Sequence, residues 1–471
     1  MTEQTGRNGE KVIVIGASMA GLLAARVLAD RFGQVLLLER DTLPALSANR
    51  KGVPQGKHTH VLLERGRQIM ESFLPGLTDE LTHLGAARIE DVSTNVGWFH
   101  SSGYHKPGTS GVAGIGVSRP TLEGLVRKRV LAMPNVRARE GCSVLGLATT
   151  DDNSRVTGVR LEDRQGSRAE ETMYADLVVD ASGRGSRSPH WLDELGYGRP
   201  LEEEVRIGMG YTTCYYRRRA EHLTGLKGIV FLATPPDKRL AVMLAQDGDR
   251  WVVTLGGYLG EHAPRDYPGF LKYARELPAP DIYNVIKDEE PLGAPVAYTF
   301  PANLRRHYEK LPRFPQGYLV IGDALCSFNP IYGQGMTVAA MEAEALGECL
   351  ANDRKRLAKE FFAKVSKIID VSWSAAVGND LGYPEVEGPR TPMVRFFNWY
   401  IKKLHKAAHT DAQVSIAFLK MINMVAPPAT ILQPRMIWRV IKGNLRTRQR
   451  NARAGKKRVL SQAEVVTTNQ S

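Results

Sequence analysis

Lys11-Val-Ile-Val-Ile-Gly16-Ala-Ser-Met-Ala-Gly21-Leu-Leu-Ala-Ala-Arg-Val-Leu28 decides the fold. Lys11 to Ile15 is a β-branched run suited to a buried parallel strand. Gly16 permits a sharp turn, and Gly21 lets the following helix lie close to the strand. The start of that helix offers free N–H groups and a positive dipole end, which suit a pyrophosphate. A second strand, Gln34-Val-Leu-Leu-Leu-Glu39, ends in an acid placed to hold a ribose hydroxyl. The middle glycine of the G-x-G-x-x-G pattern is Ser18, small enough for backbone to approach a phosphate. Glu39 favours the unphosphorylated ribose of FAD or NAD.

Two later stretches fit the same kind of site. Asp176-Leu-Val-Val-Asp180-Ala-Ser-Gly183-Arg-Gly185-Ser186 reads as a buried strand ending in a small-residue turn. Taken alone it is equally a plain strand and turn. Gly317-Tyr-Leu-Val-Ile-Gly322-Asp323 delivers an acid from a strand, and Phe328-Asn-Pro330-Ile-Tyr-Gly333-Gln-Gly335-Met336 opens a new helix. Asp323 suits a chain of sugar-like hydroxyls, and the helix start suits negative charge on a ring system. Cys326 lies nearby without a base partner and reads as a buried small residue.

With 471 residues, two or three structural units are expected. The 43% hydrophobic and 24% charged content is that of a globular protein. No stretch approaches the roughly 18 uninterrupted apolar residues of a membrane span. The four cysteines form no C-x-x-C pair, which points to a reduced, cytoplasmic protein without structural zinc. The net charge of +13 is concentrated: between Arg395 and Arg458, fifteen Lys and Arg face the single acid Asp411. With aromatics interleaved, that region suits peripheral contact with an anionic membrane at its inner face, or equally helices that cap another unit. No recognised nucleic-acid-binding motif accompanies the charge.

In chain order, 1–10 read as disordered, and 11–91, 117–200 and 301–355 as a discontinuous dinucleotide-binding unit. Residues 92–116 and 201–300 read as an antiparallel sheet unit, 356–445 as helical and 446–471 as a basic, polar tail. The loop from Arg50 to His60 leads into a helix expected from about Val61 to Phe73. His58 and His60 cannot share one helix face and lack a neighbouring Cys or carboxylate, so they read as a loop near the cofactor, with no metal site. Ser118 is an expected N-cap ahead of Arg119 and Pro120. One strand is expected from Arg137 to Leu147.

Three such stretches in this order resemble the group A flavin monooxygenases, whose fold is that of p-hydroxybenzoate hydroxylase. The resemblance implies an α/β fold: a three-layer, Rossmann-like FAD-binding domain with an inserted antiparallel-sheet substrate domain and a C-terminal helical region. It implies FAD held by Gly16, Ser18, Gly21, Glu39, Arg40, Arg50, Arg119, Asp323 and Met336, with Pro330, Gly333 and Gly335 beside the isoalloxazine. Arg119 stands at the family's R-x-x-L position. The second stretch departs from the family's Asp-Gly, since Asp180 is followed by Ala-Ser-Gly183. Within the group, Arg50-Lys-Gly-Val-Pro-Gln55, with His58 and His60 after it, resembles polyether-polyketide epoxidases, a branch similar to squalene epoxidase.

The resemblance implies that NAD(P)H, or a separate flavin reductase, reduces FAD, and that O2 reacts at C4a to give a hydroperoxide. One oxygen would then pass to a lipophilic substrate of secondary metabolism, as an alkene epoxide. No acid–base triad is identified in the sequence, and no catalytic side chain is assigned; electrophilic oxygen transfer tolerates that. Hydroxylation of an aromatic or quinone ring, reduction of prenyl double bonds, and a membrane-docked flavin module without turnover stand as alternatives. A flavin halogenase is disfavoured because no W-x-W-x-I-P run occurs.

Overall fold

The computed structural model describes residues 7–45, 47–101, 103–164, 169–352 and 354–446. The expected tail from 447 onward, with its share of the basic residues, lies outside the described residues, as do 1–6.

A five-stranded parallel sheet has the order Tyr318–Val320, Leu177–Asp180, Arg7–Ile15, Phe32–Leu38, Val136–Arg139. The first strand lies in the middle, because the chain builds outward on one side and returns on the other. That arrangement opens a crevice at the strands' carboxyl ends, where ligands bind in open α/β sheets. These strands are buried: Val12, Ile13 and Val14 lie beneath the helix Met19–Leu28, on which the helix Gly335–Cys349 packs. A three-stranded antiparallel sheet, Cys142–Thr149, Val156–Asp163 and Glu170–Tyr174, stands beside it.

An eight-stranded sheet forms a second body, centred on Leu201–Arg217, Arg250–Gly257, Arg239–Gln246 and Val296–His307. Val96–His100 joins its far end, parallel to Gly228–Phe231. The strand Val296–His307 runs through residue 300, where the sequence suggests a unit boundary, and Cys326–Ser327 pairs with it. Helices Leu357–Asp380, Pro392–Ala408 and Ala412–Ile422, then one over 434–446, pack along both bodies.

Three local expectations are corrected. Residues 7–10 are strand rather than disordered: the backbone at Arg7 pairs with Phe32, and the Lys11 N–H donates to Asp176. The stretch 137–147 is two strands, because Gly141 turns the chain at φ +66°. The helix expected from Val61 begins at Glu64, one residue after extended Leu63.

Candidate active site

The turn after the first strand is built without room to spare. Gly16 has φ +99°, and a Cβ there would lie 2.6 Å from the Ala181 carbonyl oxygen. A Cβ on Gly21 would lie 1.9 Å from the Gly16 carbonyl oxygen. The two glycines therefore bring the helix start, the strand end and the turn after Asp180 together.

Ser18 precedes the helix Met19–Leu28 but does not cap it with its side chain. Its hydroxyl donates to Glu123 at 3.2 Å and accepts from Arg119 Nη2 at 2.8 Å. Glu123, buried on the helix Arg119–Leu131, accepts from Arg119 Nε and from Arg50 Nε, each at 2.9 Å. Sequence reasoning missed Glu123. The only signal was its place four residues after Arg119 on a helix. Burial raises the Glu123 pKa, but the two guanidiniums outweigh that and hold it below the usual range.

Glu39 is already engaged. Its carboxylate accepts the Ala17 N–H at 2.9 Å, the Arg50 guanidinium at 3.0 Å and the Asp41 N–H at 3.2 Å. Asp180 is wholly buried and turned away from the crevice, bonded to Ser182 N, Ser186 and Ser188. It braces the turn that sets Gly183, Arg184 and Gly185 facing the crevice.

One cavity of about 650 Å³ collects these stretches. Gly16, Ser18, Glu39, Arg40, Arg50, Arg119, Asp323, Pro330, Gly333, Gly335 and Met336 all line it; Gly21 lies behind Gly16. Asp323 is exposed to the cavity between buried neighbours. Surrounding protein raises its pKa, against the pull of Arg119 and Arg184. Behind it, Glu342 accepts the Gly322 N–H at 2.6 Å, and its other oxygen has no hydrogen-bond partner among the described residues.

The opposite wall comes from the eight-stranded sheet: Met209, Tyr211, Leu240, Val242, Thr254, Tyr298 and Phe300. None of the described residues among 92–116 lines the cavity. His58 is buried against Tyr211 and Tyr298 and joins a run of hydroxyls, His58 to Thr213 at 2.8 Å and Thr213 to Thr254 at 2.6 Å. Burial pushes His58 down to about 4; burial, then Arg119, pushes the cavity-lining His60 down to about 3. A second group of imidazoles, His100, His105 and His405, lies in the interface with the C-terminal helices. His100 and His405 stack face to face at 4.0 Å with planes 4° apart, so their lone pairs run side by side rather than toward one point.

The crevice fits an adenine dinucleotide with a flavin. It offers a bare turn at Gly16 ahead of one helix start, arginines that could meet phosphates, an open acid at Asp323 and a second helix start at Gly335. Comparison with known proteins agrees. Residues 10–360 match the FAD binding domain family, to which this chain belongs; it is a flavoprotein of the FAD-dependent monooxygenase class. It is 33% identical to Protein Rv3254 of Mycobacterium tuberculosis, covering 95% of this chain and 96% of that one. It is 29% identical to kynurenine 3-monooxygenase of Salinispora arenicola, over 75% of each chain. The solved structure of the flavin-dependent brominase Bmp2 superposes with a TM-score of 0.62 at 14% identity, covering 88% of this chain and 92% of that one, a likeness of fold alone.

Proposed function

We propose that the chain inserts one oxygen atom from O2 into a lipophilic, polyketide- or terpenoid-like substrate, by epoxidation of an isolated alkene. The observation that carries this reading is the sheet wall facing the cofactor stretches, where Met209, Leu240, Val242 and Phe300 are apolar. Such a wall binds a hydrocarbon and excludes water from the reacting region. FAD, when bound, supplies the redox chemistry with O2. The chain's residues would hold and orient it: the Asp323 carboxylate would accept hydrogen bonds from hydroxyls, and Gly333 and Gly335 leave backbone bare for a flat ring.

The groups nearest that wall make poor bases at neutral pH. His60 is a weakly basic imidazole, and burial raises the phenol pKa of Tyr211 and Tyr298. Alkene epoxidation does not require a base. Hydroxylation of an aromatic ring is the second reading, favoured by the Tyr211–Tyr298 pair at 5.5 Å. NAD(P)H, directly or through a reductase, is the electron source in either case. Incubating the holoenzyme with polyprenyl, polyene and phenolic compounds, NAD(P)H and air tests the choice. Epoxides by product mass support the first reading; ring hydroxylation supports the second.

The C-terminal helices support contact with an anionic membrane. Phe396 and Trp399, 44% and 56% exposed, lie on Pro392–Ala408, and Trp438, Ile441 and Leu445 are exposed on the helix over 434–446. Lys402, Lys403, Lys406 and Lys442 are exposed among them. No helix of the described residues is long and apolar enough to cross a membrane, so the contact would be interfacial.

A further inference from the structure

The loop 328–333 has two faces. Phe328, Pro330, Ile331 and Gly333 line the cavity, while the side chains of Asn329 and Tyr332 turn inward. Both reach Asp380, a wholly buried acid at the end of the helix Leu357–Asp380. Asp380 Oδ1 accepts from Asn329 Nδ2 at 3.1 Å and from the Tyr332 hydroxyl at 3.2 Å. Its Oδ2 accepts from Asn303 Nδ2 at 2.9 Å.

Backbone groups fix the polarity of this cluster. Asn303 Oδ1 accepts the Asn329 N–H at 2.6 Å, so Asn303 must turn its NH2 toward Asp380. Asn329 Oδ1 accepts the Ile331 N–H at 3.2 Å, so Asn329 must do the same. Neither amide can flip without losing a backbone bond. The pocket at Asp380 therefore calls for a group that only accepts.

We propose that Asp380 is a positioning residue for the flavin ring: through Asn303, Asn329 and Tyr332 its carboxylate holds the 328–333 loop in the curve that faces the cavity. This rests on the reading that the ring lies beside Pro330, Gly333 and Gly335; Ile331 lines the cavity between the first two. The titratable groups facing Asp380 are the phenols of Tyr258, Tyr332 and Tyr383. Burial raises Asp380 to about 6 against the pull of its hydrogen bonds, so its charge changes within an accessible pH range. On protonation one oxygen becomes a donor and the loop loses an acceptor.

The test uses FAD-loaded wild type, Asp380→Asn, Tyr332→Phe and Ile331→Ala, and needs no substrate. The readouts are the visible flavin spectrum, its midpoint potential, and the rate at which chemically reduced flavin reoxidises in air, across pH 5 to 8. Asp380→Asn should retain FAD, shift spectrum and potential, change reoxidation on the order of tenfold, and abolish the wild type's spectral change near pH 6. Tyr332→Phe should move the same readouts less, and decides the matter should Asp380→Asn not fold. Melting shifts in both variants with every flavin readout and pH profile unchanged would overturn the proposal. If Ile331→Ala also leaves the flavin unmoved, the placement of the ring has failed; if only Ile331→Ala moves it, the placement stands and the positioning role falls.

Discussion

Arg50 and Glu39 form a buried ion pair at the edge of the cofactor crevice, Nη1 to Oε2 at 3.0 Å, with side chains only 6% and 7% exposed. The same guanidinium reaches Glu123, and Glu123 reaches Arg119 and Ser18. Two acids and two arginines from three separated segments thus close around the turn that begins the first helix. The pairing leaves little uncompensated charge there and holds both guanidiniums beside the turn at Ala17 and Ser18, where the proposed site would take a pyrophosphate.

Replacing Glu123 by Ala leaves Arg50 and Arg119 short of a buried partner. Breaking such a pair costs about 3–5 kcal/mol. Thermal melting of the apoprotein should fall clearly, and FAD titration by fluorescence quenching should show weakened binding. Glu123→Gln should be milder, because it keeps one acceptor.

The departure at Ser18 is functional in this account. Ser18→Ala removes the acceptor for Arg119 Nη2, worth about 1.5–3 kcal/mol for a charged donor. Ser18→Gly restores the glycine of the general pattern but loses the same bond. Both should bind FAD more weakly than wild type by equilibrium titration; tighter binding by Ser18→Gly would contradict this role.

Gly21→Ala and Gly335→Ala should part company. The first drives a methyl into the Gly16 carbonyl, a backbone group that cannot give way, and should give little folded protein. The second meets nothing within 4 Å and lies on the cavity lining. It should fold normally by circular dichroism and show its effect in FAD affinity and flavin spectrum.

Glu342 predicts a pH dependence of stability. Burial, chiefly, raises its pKa from 4.5 to about 8, so the native state holds a proton that the unfolded chain releases. Its contribution is fully present below the unfolded value and is lost as pH rises through 8, a change of a few kcal/mol. Glu342→Gln should therefore melt above wild type at pH 9 and close to it at pH 4. Parallel melting curves across that range would count against a buried neutral acid.

Membrane contact is tested with liposomes containing anionic lipid, at low and high salt. Wild type should cosediment at low salt, and Phe396→Glu/Trp399→Glu should remain in solution. Equal recovery of both in the pellet would argue for another role of these exposed aromatics.

The cofactor half of this site was legible because its signals are local. Gly16, Gly21, Asp323 and Gly335 each stand within a few residues of a strand end or helix start. Glu123 and Asp380 were not legible. Glu123 meets Ser18 over 105 positions, and Asp380 meets Asn303 over 77. Each sits on a helix where an acid would ordinarily be solvated. Asp180 carried a local signal of the wrong kind: it ends a strand as a ligand-binding acid would, yet three serines downstream draw it inward. The strand at 7–10 was hidden because its residues are polar, and its partners supply the pairing.

The most direct measurement of the central claim is turnover of the FAD-loaded enzyme under ¹⁸O₂, with an alkene substrate found by the product screen. The account predicts a product heavier by one labelled oxygen, with the second label in water. Label found only in water or peroxide, with the substrate reduced or unchanged, would contradict oxygen insertion.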